Sequence, residues 1–294
     1  MHIGILSARS PEYHPNRRLI EAASGLGHKV TIIHPKDCLG EIRQGGQDLE
    51  APQRGDLDVL LPRIGSTINE YALALVRHFE LARIPVVNGF ESILLARNKA
   101  LCLQTLSRMG IPVPHSYLVS NFKTFQRAVD RLGGYPVVAK VLSSRQGKGV
   151  LLVESPLTAE FIIDKYHQKR ECLLVQEFIP PEKRRDLRAI VLGDEVSGAM
   201  TLTPKAGDFR SNIHLTGQGK EAHLDRAFTG LAVGSGRALG LDISGVDMLV
   251  DAQGVAKVIE VNYSPGFKGL EAATGLDMGA RMIQYIARTS GERS

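Results

Sequence analysis

The chain has 294 residues, 43% of them hydrophobic and 23% charged, which describes a soluble globular protein with room for two domains or three small ones. No apolar run approaches the roughly 18 residues that a membrane-spanning helix needs, and the opening Met1-His2-Ile3-Gly4-Ile5-Leu6 lacks the basic stretch and long apolar core of a signal peptide, so a cytoplasmic protein is expected. The net charge of +5 points to anionic partners, but Lys and Arg are dispersed, only Lys183-Arg184-Arg185 forms a run, and there is neither Trp nor zinc-finger spacing, so direct nucleic-acid binding is not expected.

The first ninety or so residues alternate strand and helix signals. Ile3–Leu6 is a short apolar strand, Asn16–Leu26 has helical spacing and stops at Gly27, and Val30–Ile33 and Val59–Leu61 are further strands. Asn69–Ala82 is a helix, and Val86-Val87 opens onto Asn88-Gly89. The pattern predicts βαβ units around a parallel sheet. No GxGxxG follows the first strand, which argues against an ordinary dinucleotide site. Arg63 follows a buried strand at the end where such sheets take ligands; it either meets a substrate carboxylate or is an ordinary surface arginine. A helix is expected from about Ser92 to Met109, closed by Gly110 with Pro112 beyond.

From there hairpins mix with helices in an α+β style. The expected domains are an N-terminal α/β unit over 1–93, a small central lobe over 94–178 and a C-terminal lobe over 179–294. Only Thr289–Ser294 reads as a disordered tail. The three cysteines, Cys38, Cys102 and Cys172, show no CxxC spacing and are expected to be reduced, buried thiols.

Pro136–Lys140 is an apolar strand carrying a lysine, a residue that such a strand seldom keeps without a partner. It leads into Ser143-Ser144-Arg145-Gln146-Gly147-Lys148-Gly149, whose glycines and cations suit phosphates without matching a P-loop; a mobile hairpin tip is the plainer alternative. Leu173–Ile179 is an apolar strand entering a Pro180-Pro181 hinge, where Glu177 and Phe178 suit an adenine edge and apolar contact; an interdomain strand with a stiff exit is the alternative. Asp186 and Arg188 share one strand face, where a surface ion pair worth under about 1 kcal/mol is the ordinary outcome. In the segment Lys205–His214, strand alternation projects Arg210, Asn212 and His214 together, and Arg210 suits a transferring phosphoryl group.

The densest signal is Gly245–Val250, then Asp251-Ala252-Gln253-Gly254, then Val255–Asn262. Alternating apolar and polar residues flank a glycine-containing turn, as in an antiparallel pair. Folding it about the midpoint of Gln253 and Gly254 sets Asp247 opposite Glu260, with Asn262 on the same face as Glu260. Opposed carboxylates are unfavourable unless a cation lies between them, so the set suits Mg²⁺ or Mn²⁺ shared with nucleotide phosphates; a solvated hairpin whose acidic residues face water is the plainer alternative.

Taken in order, Lys140, the glycine loop, Gln176-Glu177-Phe178, Asp186-Leu187-Arg188, Gly207-Asp208-Phe209-Arg210-Ser211-Asn212, Asp247 and Glu260-Val261-Asn262 with Ser264-Pro265-Gly266 resemble the ATP-grasp superfamily, and within it the RimK family of glutamate ligases. The resemblance, which extends to Pro62-Arg63-Ile64-Gly65 and Arg97-Asn98-Lys99, implies a pre-ATP-grasp parallel-sheet domain and two α+β lobes gripping ATP. It implies that Lys99 and Lys140 contact ATP phosphates, Glu177 and Phe178 the adenine and Asp186 the ribose region. Arg210, Ser211 and Asn212 would face the triphosphate, with Arg210 and Asn212 catalytic, while Asp247, Glu260 and Asn262 would hold two Mg²⁺ or Mn²⁺ ions.

The implied reaction is ADP-forming ligation of a carboxylate to the amino group of L-glutamate, with the C-terminus of an acidic protein or peptide, such as the sixth small-subunit ribosomal protein, as acceptor. A homo-oligomer, dimer or tetramer, is expected. Leu215-Thr216-Gly217 and Leu202-Thr203-Pro204 depart from the family's basic residues where the acceptor should bind. A ligase for a small-molecule acid therefore stays open beside the protein ligase. A regulator that only binds nucleotide would have no need of the carboxylate pair.

Overall fold

The computed structural model describes residues 1–65, 69–142, 149–167, 172–204, 208–210 and 218–292. It opens with β1 (His2–Leu6), α1 (His14–Gly25) and β2 (Lys29–Ile33), followed by a hairpin of β3 (Leu39–Arg43) and β4 (Gly46–Glu50), and then β5 (Val59–Pro62). β1 lies between β2 and β5 and pairs parallel with both. It is buried along its whole length, which is why it reads as an unbroken apolar run rather than an alternating one. The β3–β4 hairpin has no counterpart in the sequence expectations, because its strands are short, polar and mostly exposed.

After α2 (Glu70–Leu81), the expected single helix divides into α3 (Phe90–Arg97) and α4 (Lys99–Arg108). Asn98 makes the break. Its backbone is extended, and its side chain accepts from the amides of Ala100 and Leu101 as the N-cap of α4. Helical spacing ran through the break because α3 and α4 both keep an apolar side, and the cap chemistry of one residue overrode it.

Next come β6 (Ser116–Val119), α5 (Phe122–Arg131), β7 (Val137–Val141), β8 (Val150–Val153), α6 (Pro156–His167) and β9 (Leu173–Glu177). These four strands form an antiparallel sheet of order β6-β9-β7-β8, with Phe125, Ala128 and Val129 of α5 and Ile162 and Ile163 of α6 buried against Val137, Ala139 and Val175.

The largest sheet holds β10 (Arg184–Leu192), β11 (Glu195–Thr203), β12 (Gln218–Glu221), β13 (Ile243–Asp251) and β14 (Ala256–Asn262), in the order β12-β11-β10-β13-β14. α7 (Arg226–Ala238) precedes β13, and α8 (Lys268–Thr274) and α9 (Met278–Glu292) close the chain. α9 returns to the beginning, placing Met282, Ile283 and Ile286 in one core with Ile3, Ile5 and Leu19. It runs on to Glu292, so the tail expected from Thr289 is helical nearly to its end. Ser290 is buried, and Thr289 Oγ1 donates back to the Tyr285 carbonyl at 3.0 Å.

Asn88, 2% exposed, ties the opening segment to the large sheet. Its amide nitrogen donates to the carbonyls of Ile243 and Tyr263, both at 2.7 Å, and its oxygen accepts from the Ile243 amide at 2.9 Å. Among the described residues no helix is long and apolar enough to cross a membrane.

Candidate active site

A cleft of about 930 Å³, including space open to solvent, separates the four-stranded and five-stranded sheets. Lys99, Lys140, Glu177, Asp186, Arg210, Asp247 and Glu260 line it, all of them picked out by the sequence. Its size suits a nucleotide-sized ligand. Phe178 lies beside it, its ring edge-on to Phe209 with centroids 6.1 Å apart. Ser211, Asn212 and His214, like the glycine loop at 143–148, fall outside the described residues.

The β13–β14 hairpin sets Asp247 directly opposite Glu260 and Gly245 opposite Asn262. Near its turn the hairpin pairs Met248 with Val258, a register that would have set Asp247 against Ile259. One extra residue, Ile259, shifts the pairing, and both Ile259 and Glu260 reach the cleft wall. The bulge thus adds an apolar wall beside the carboxylates, as bulges at binding sites re-aim side chains.

Cations of the protein itself surround these carboxylates. Arg188, opposite Asp247 on β10, clasps it with Nε to Oδ1 at 2.6 Å and a second guanidinium nitrogen to Oδ2 at 2.7 Å. The two residues are 8% and 7% exposed. Lys99 Nζ, at the start of α4, lies 3.7 Å from Glu260 Oε1. The surface pair expected between Asp186 and Arg188 does not form. Asp186 instead takes both guanidinium arms of Arg184, at 2.7 and 3.2 Å, because Arg184 is its same-face neighbour two residues back and Arg188 is drawn across the strands. Arg184 also donates to the carbonyls of Phe209 and Ile179, anchoring the hinge and the segment that carries Arg210.

Lys140 stands on the cleft wall, and burial pulls its ammonium down to about 8, against the attraction of Glu260 and with repulsion from Lys99 and Arg184. A phosphate would reverse that shift. Arg188 is held above its ordinary range: burial alone would lower it, and the Asp247 carboxylate outweighs burial. Arg210 pairs with Asp208 through Nε–Oδ1 at 3.0 Å and a second nitrogen–Oδ2 contact at 2.9 Å, which lowers the Asp208 carboxyl. Glu177 Oε1 accepts from Lys257 Nζ at 2.6 Å and from the His115 amide at 2.8 Å. Burial raises the Cys38 thiol to about 11 and Cys102 to about 12, so neither is a thiolate nucleophile at neutral pH, while Cys172 is only partly buried.

The donor set fits a hard divalent cation. Two carboxylate oxygens offer about four lone-pair sites; on Asp247, Arg188 takes two and Asn262 Nδ2, at 3.2 Å, takes a third, leaving one. With its nitrogen turned to Asp247, Asn262 keeps its amide oxygen for a cation. Glu260, a third exposed, adds a second carboxylate. Among the described residues no group of three or more His, Cys, Asp or Glu gathers anywhere, so the donor set here is two carboxylates and an amide oxygen.

Arg184, Lys257 and Ile259 are neighbours of the candidate residues that sequence reasoning did not single out. Arg184 had a signal, since residues two apart on a strand share a face. Lys257 and Ile259 had none, because their placement depends on the hairpin docking against Glu177 and on the bulge.

Comparison with known proteins agrees with this geometry. Residues 1–93 match the RimK PreATP-grasp domain and residues 96–286 the RimK-like ATP-grasp domain. A probable alpha-L-glutamate ligase of Rhodopirellula baltica is 38% identical over 289 residues, covering 98% of this chain and 71% of that one. A ribosomal protein bS6–L-glutamate ligase of Salmonella paratyphi B is 39% identical over 290 residues, covering 98% and 96%. In fold, the chain is similar to a RimK domain ATP-grasp protein of Sphaerobacter thermophilus, with a TM-score of 0.75, 24% identity and 97% and 99% coverage. A D-alanine–D-alanine ligase of Bacillus anthracis complexed with ATP superposes with a TM-score of 0.72 at 17% identity, covering 100% and 98%. With paired carboxylates and buried cations facing one cleft between two antiparallel sheets, and both family domains matched end to end, the chain belongs to the RimK family of ATP-grasp ligases.

Proposed function

We propose that the protein joins L-glutamate to the C-terminal carboxylate of a protein or peptide, releasing ADP and phosphate. The observation that carries this reading is the facing of Asp247 and Glu260 within a cleft that also holds Lys99, Lys140 and Arg210. An acceptor carboxylate oxygen attacks the γ-phosphorus of ATP, ADP leaves, and glutamate's amine then displaces phosphate from the acyl phosphate, losing a proton. Phosphoryl transfer of this kind needs positioning and charge neutralisation more than a side-chain nucleophile.

Lys140 and Lys99 neutralise phosphate charge; Arg210, fixed by Asp208, and Asn212 face the reacting phosphoryl group together with Ser211. The Phe178–Phe209 edge contact and Ile259 wall the adenine side, and Asp186, fixed by Arg184, meets the ribose. Glu177 recognises the adenine edge while Lys257 holds its carboxylate. Asp247, Glu260 and Asn262 would hold two Mg²⁺ or Mn²⁺ ions, which would supply neutralisation of phosphate charge. The same reading divides the chain at 93 and 178, places it in the cytoplasm and makes it a homo-oligomer.

The test is incubation with ATP, Mg²⁺ or Mn²⁺, glutamate and peptides ending in acidic residues, followed by mass analysis and separation of ADP from AMP. Mass steps of one glutamate with ADP support the reading. ADP release with unchanged peptides and an extended small acid would assign the acceptor to small molecules instead, a result that the apolar Leu202 at the cleft would favour.

A further inference from the structure

Arg63 follows β5 directly, and its amide donates to the Leu6 carbonyl at 2.8 Å, which fixes it at the C-terminal ends of β5 and β1. The chain leaves β1 toward β2 on one side and enters β5 on the other, so these ends flank the switch point of the parallel sheet, where such sheets take ligands.

The side chain is 9% exposed. One guanidinium nitrogen donates to the Pro265 carbonyl at 2.8 Å, and the group lies 5.8 Å from the Phe267 ring centre. Its Nε is buried with no hydrogen-bond partner, and no carboxylate among the described residues pairs with it. The buried arginines of the cleft differ: Arg184 and Arg188 each hold a carboxylate with both arms. A buried guanidinium without a counter-charge is destabilising, so its retention needs a reason beyond packing. Burial lowers it to about 10, with Tyr13 the ionisable neighbour acting on it, and it stays a cation at neutral pH.

The segment that holds Arg63 packs against the chain leaving β14, the strand that carries Glu260. Pro265 is three residues beyond Asn262, a span of at most about 11 Å. Tyr263 donates its hydroxyl to the Gly65 carbonyl at 3.1 Å, and a Cβ on Gly65 would fall 3.1 Å from that of Ser264, so the two segments touch. Arg9, exposed at the end of β1 with its guanidinium 5.7 Å from the Tyr13 ring, adds positive charge there.

We propose that Arg63 binds a carboxylate of the incoming amino acid, holding it at the switch-point crevice while its amine reaches the acyl phosphate. A guanidinium fork matches a carboxylate with two parallel hydrogen bonds, and a carboxylate satisfies both the orphaned charge and the orphaned donor. The assignment rests on the glutamate-ligase reading.

The test compares the parent with Arg63→Met and Arg63→Lys, varying glutamate, ATP and peptide in turn, and replacing glutamate by glutamine or hydroxylamine. Hydroxylamine captures the acyl phosphate as a hydroxamate and brings no carboxylate. For Arg63→Met, KM for glutamate should rise roughly ten- to hundredfold, the loss of a charged hydrogen bond, with Arg63→Lys in between. KM for ATP and the rate with hydroxylamine should hold within about twofold, and any preference for glutamate over glutamine should shrink. An unchanged KM for glutamate, or an equal loss with hydroxylamine, overturns the proposal. A rise in KM for the peptide alone also overturns it, moving the carboxylate to the acceptor. If the parent itself forms neither hydroxamate nor glutamylated peptide, the ligase reading has failed first.

Discussion

Replacing Asp247 separates what the carboxylate does for the fold from what it does for the reaction. Asp247 and Arg188 are both more than nine-tenths buried and joined by two short hydrogen bonds. Removing one partner of such a pair strands the other charge, at a cost of about 3–5 kcal/mol. Asp247→Asn keeps one oxygen for one guanidinium arm and belongs at about 3 kcal/mol; Asp247→Ala keeps none and belongs at about 5 kcal/mol. Either is a large part of a stability of about 5–15 kcal/mol. The double variant Arg188→Met/Asp247→Leu removes both charges at once, leaving neither stranded, and should recover most of the loss. Urea unfolding followed by fluorescence or circular dichroism gives the three midpoints, and ADP release should be absent in all three. Parent-like unfolding of Asp247→Ala would refute the argument, as would a double variant less stable than either single change.

Glu260 faces Asp247 but is a third exposed, so Glu260→Gln should shift the unfolding midpoint by less than about 0.5 kcal/mol while lowering ADP release by at least about a hundredfold. Parent-rate turnover would remove Glu260 from the cation set. Lys140 should make ATP binding pH-dependent. Its free-state pKa of about 8 lies below the ordinary 10.5, and phosphate raises it, so affinity is full below pH 8 and weakens as pH rises through 8. Calorimetry in buffers of different ionisation enthalpy should show proton uptake on ATP binding near pH 8.5, and none in Lys140→Met; equal uptake in both would assign the proton elsewhere. With respect to folding the sign is opposite: depression of a lysine stabilises the unfolded, protonated chain, so this contribution to stability grows between pH 8 and 10.5. Asn88→Leu should cost about 3 kcal/mol or more, since three buried backbone groups lose their partner. A midpoint unchanged in thermal unfolding would show the clip to be dispensable.

The C-terminal hairpin was the most legible part of the site. Period-two alternation and a glycine turn placed Asp247 opposite Glu260, yet the turn itself folds about Gln253, and only the bulge at Ile259 restores the pairing half a residue along. Alternation reports faces, not local irregularities, so the register was right without the bulge having been visible. Lys140, Glu177 and Asp186 were legible as charges on apolar strands. The partners of the two carboxylates were not, because choosing among Arg184, Arg188 and Lys257 requires knowing which strands are neighbours. Arg63 could be read either way from sequence; burial decides against a surface arginine. The break at Asn98 was hidden by continuous apolar spacing, and the β3–β4 hairpin by its polarity.

Asn88 couples the N-terminal unit to the sheet that carries the carboxylate pair. By gripping both the entry to β13 and the exit from β14, it leaves the parallel sheet and the five-stranded sheet no freedom to slide against each other. The four-stranded sheet, by contrast, joins the rest of the chain through the proline-containing stretches at Pro112–Pro114 and Pro180–Pro181 and is pinned to the large sheet by the Lys257–Glu177 contact.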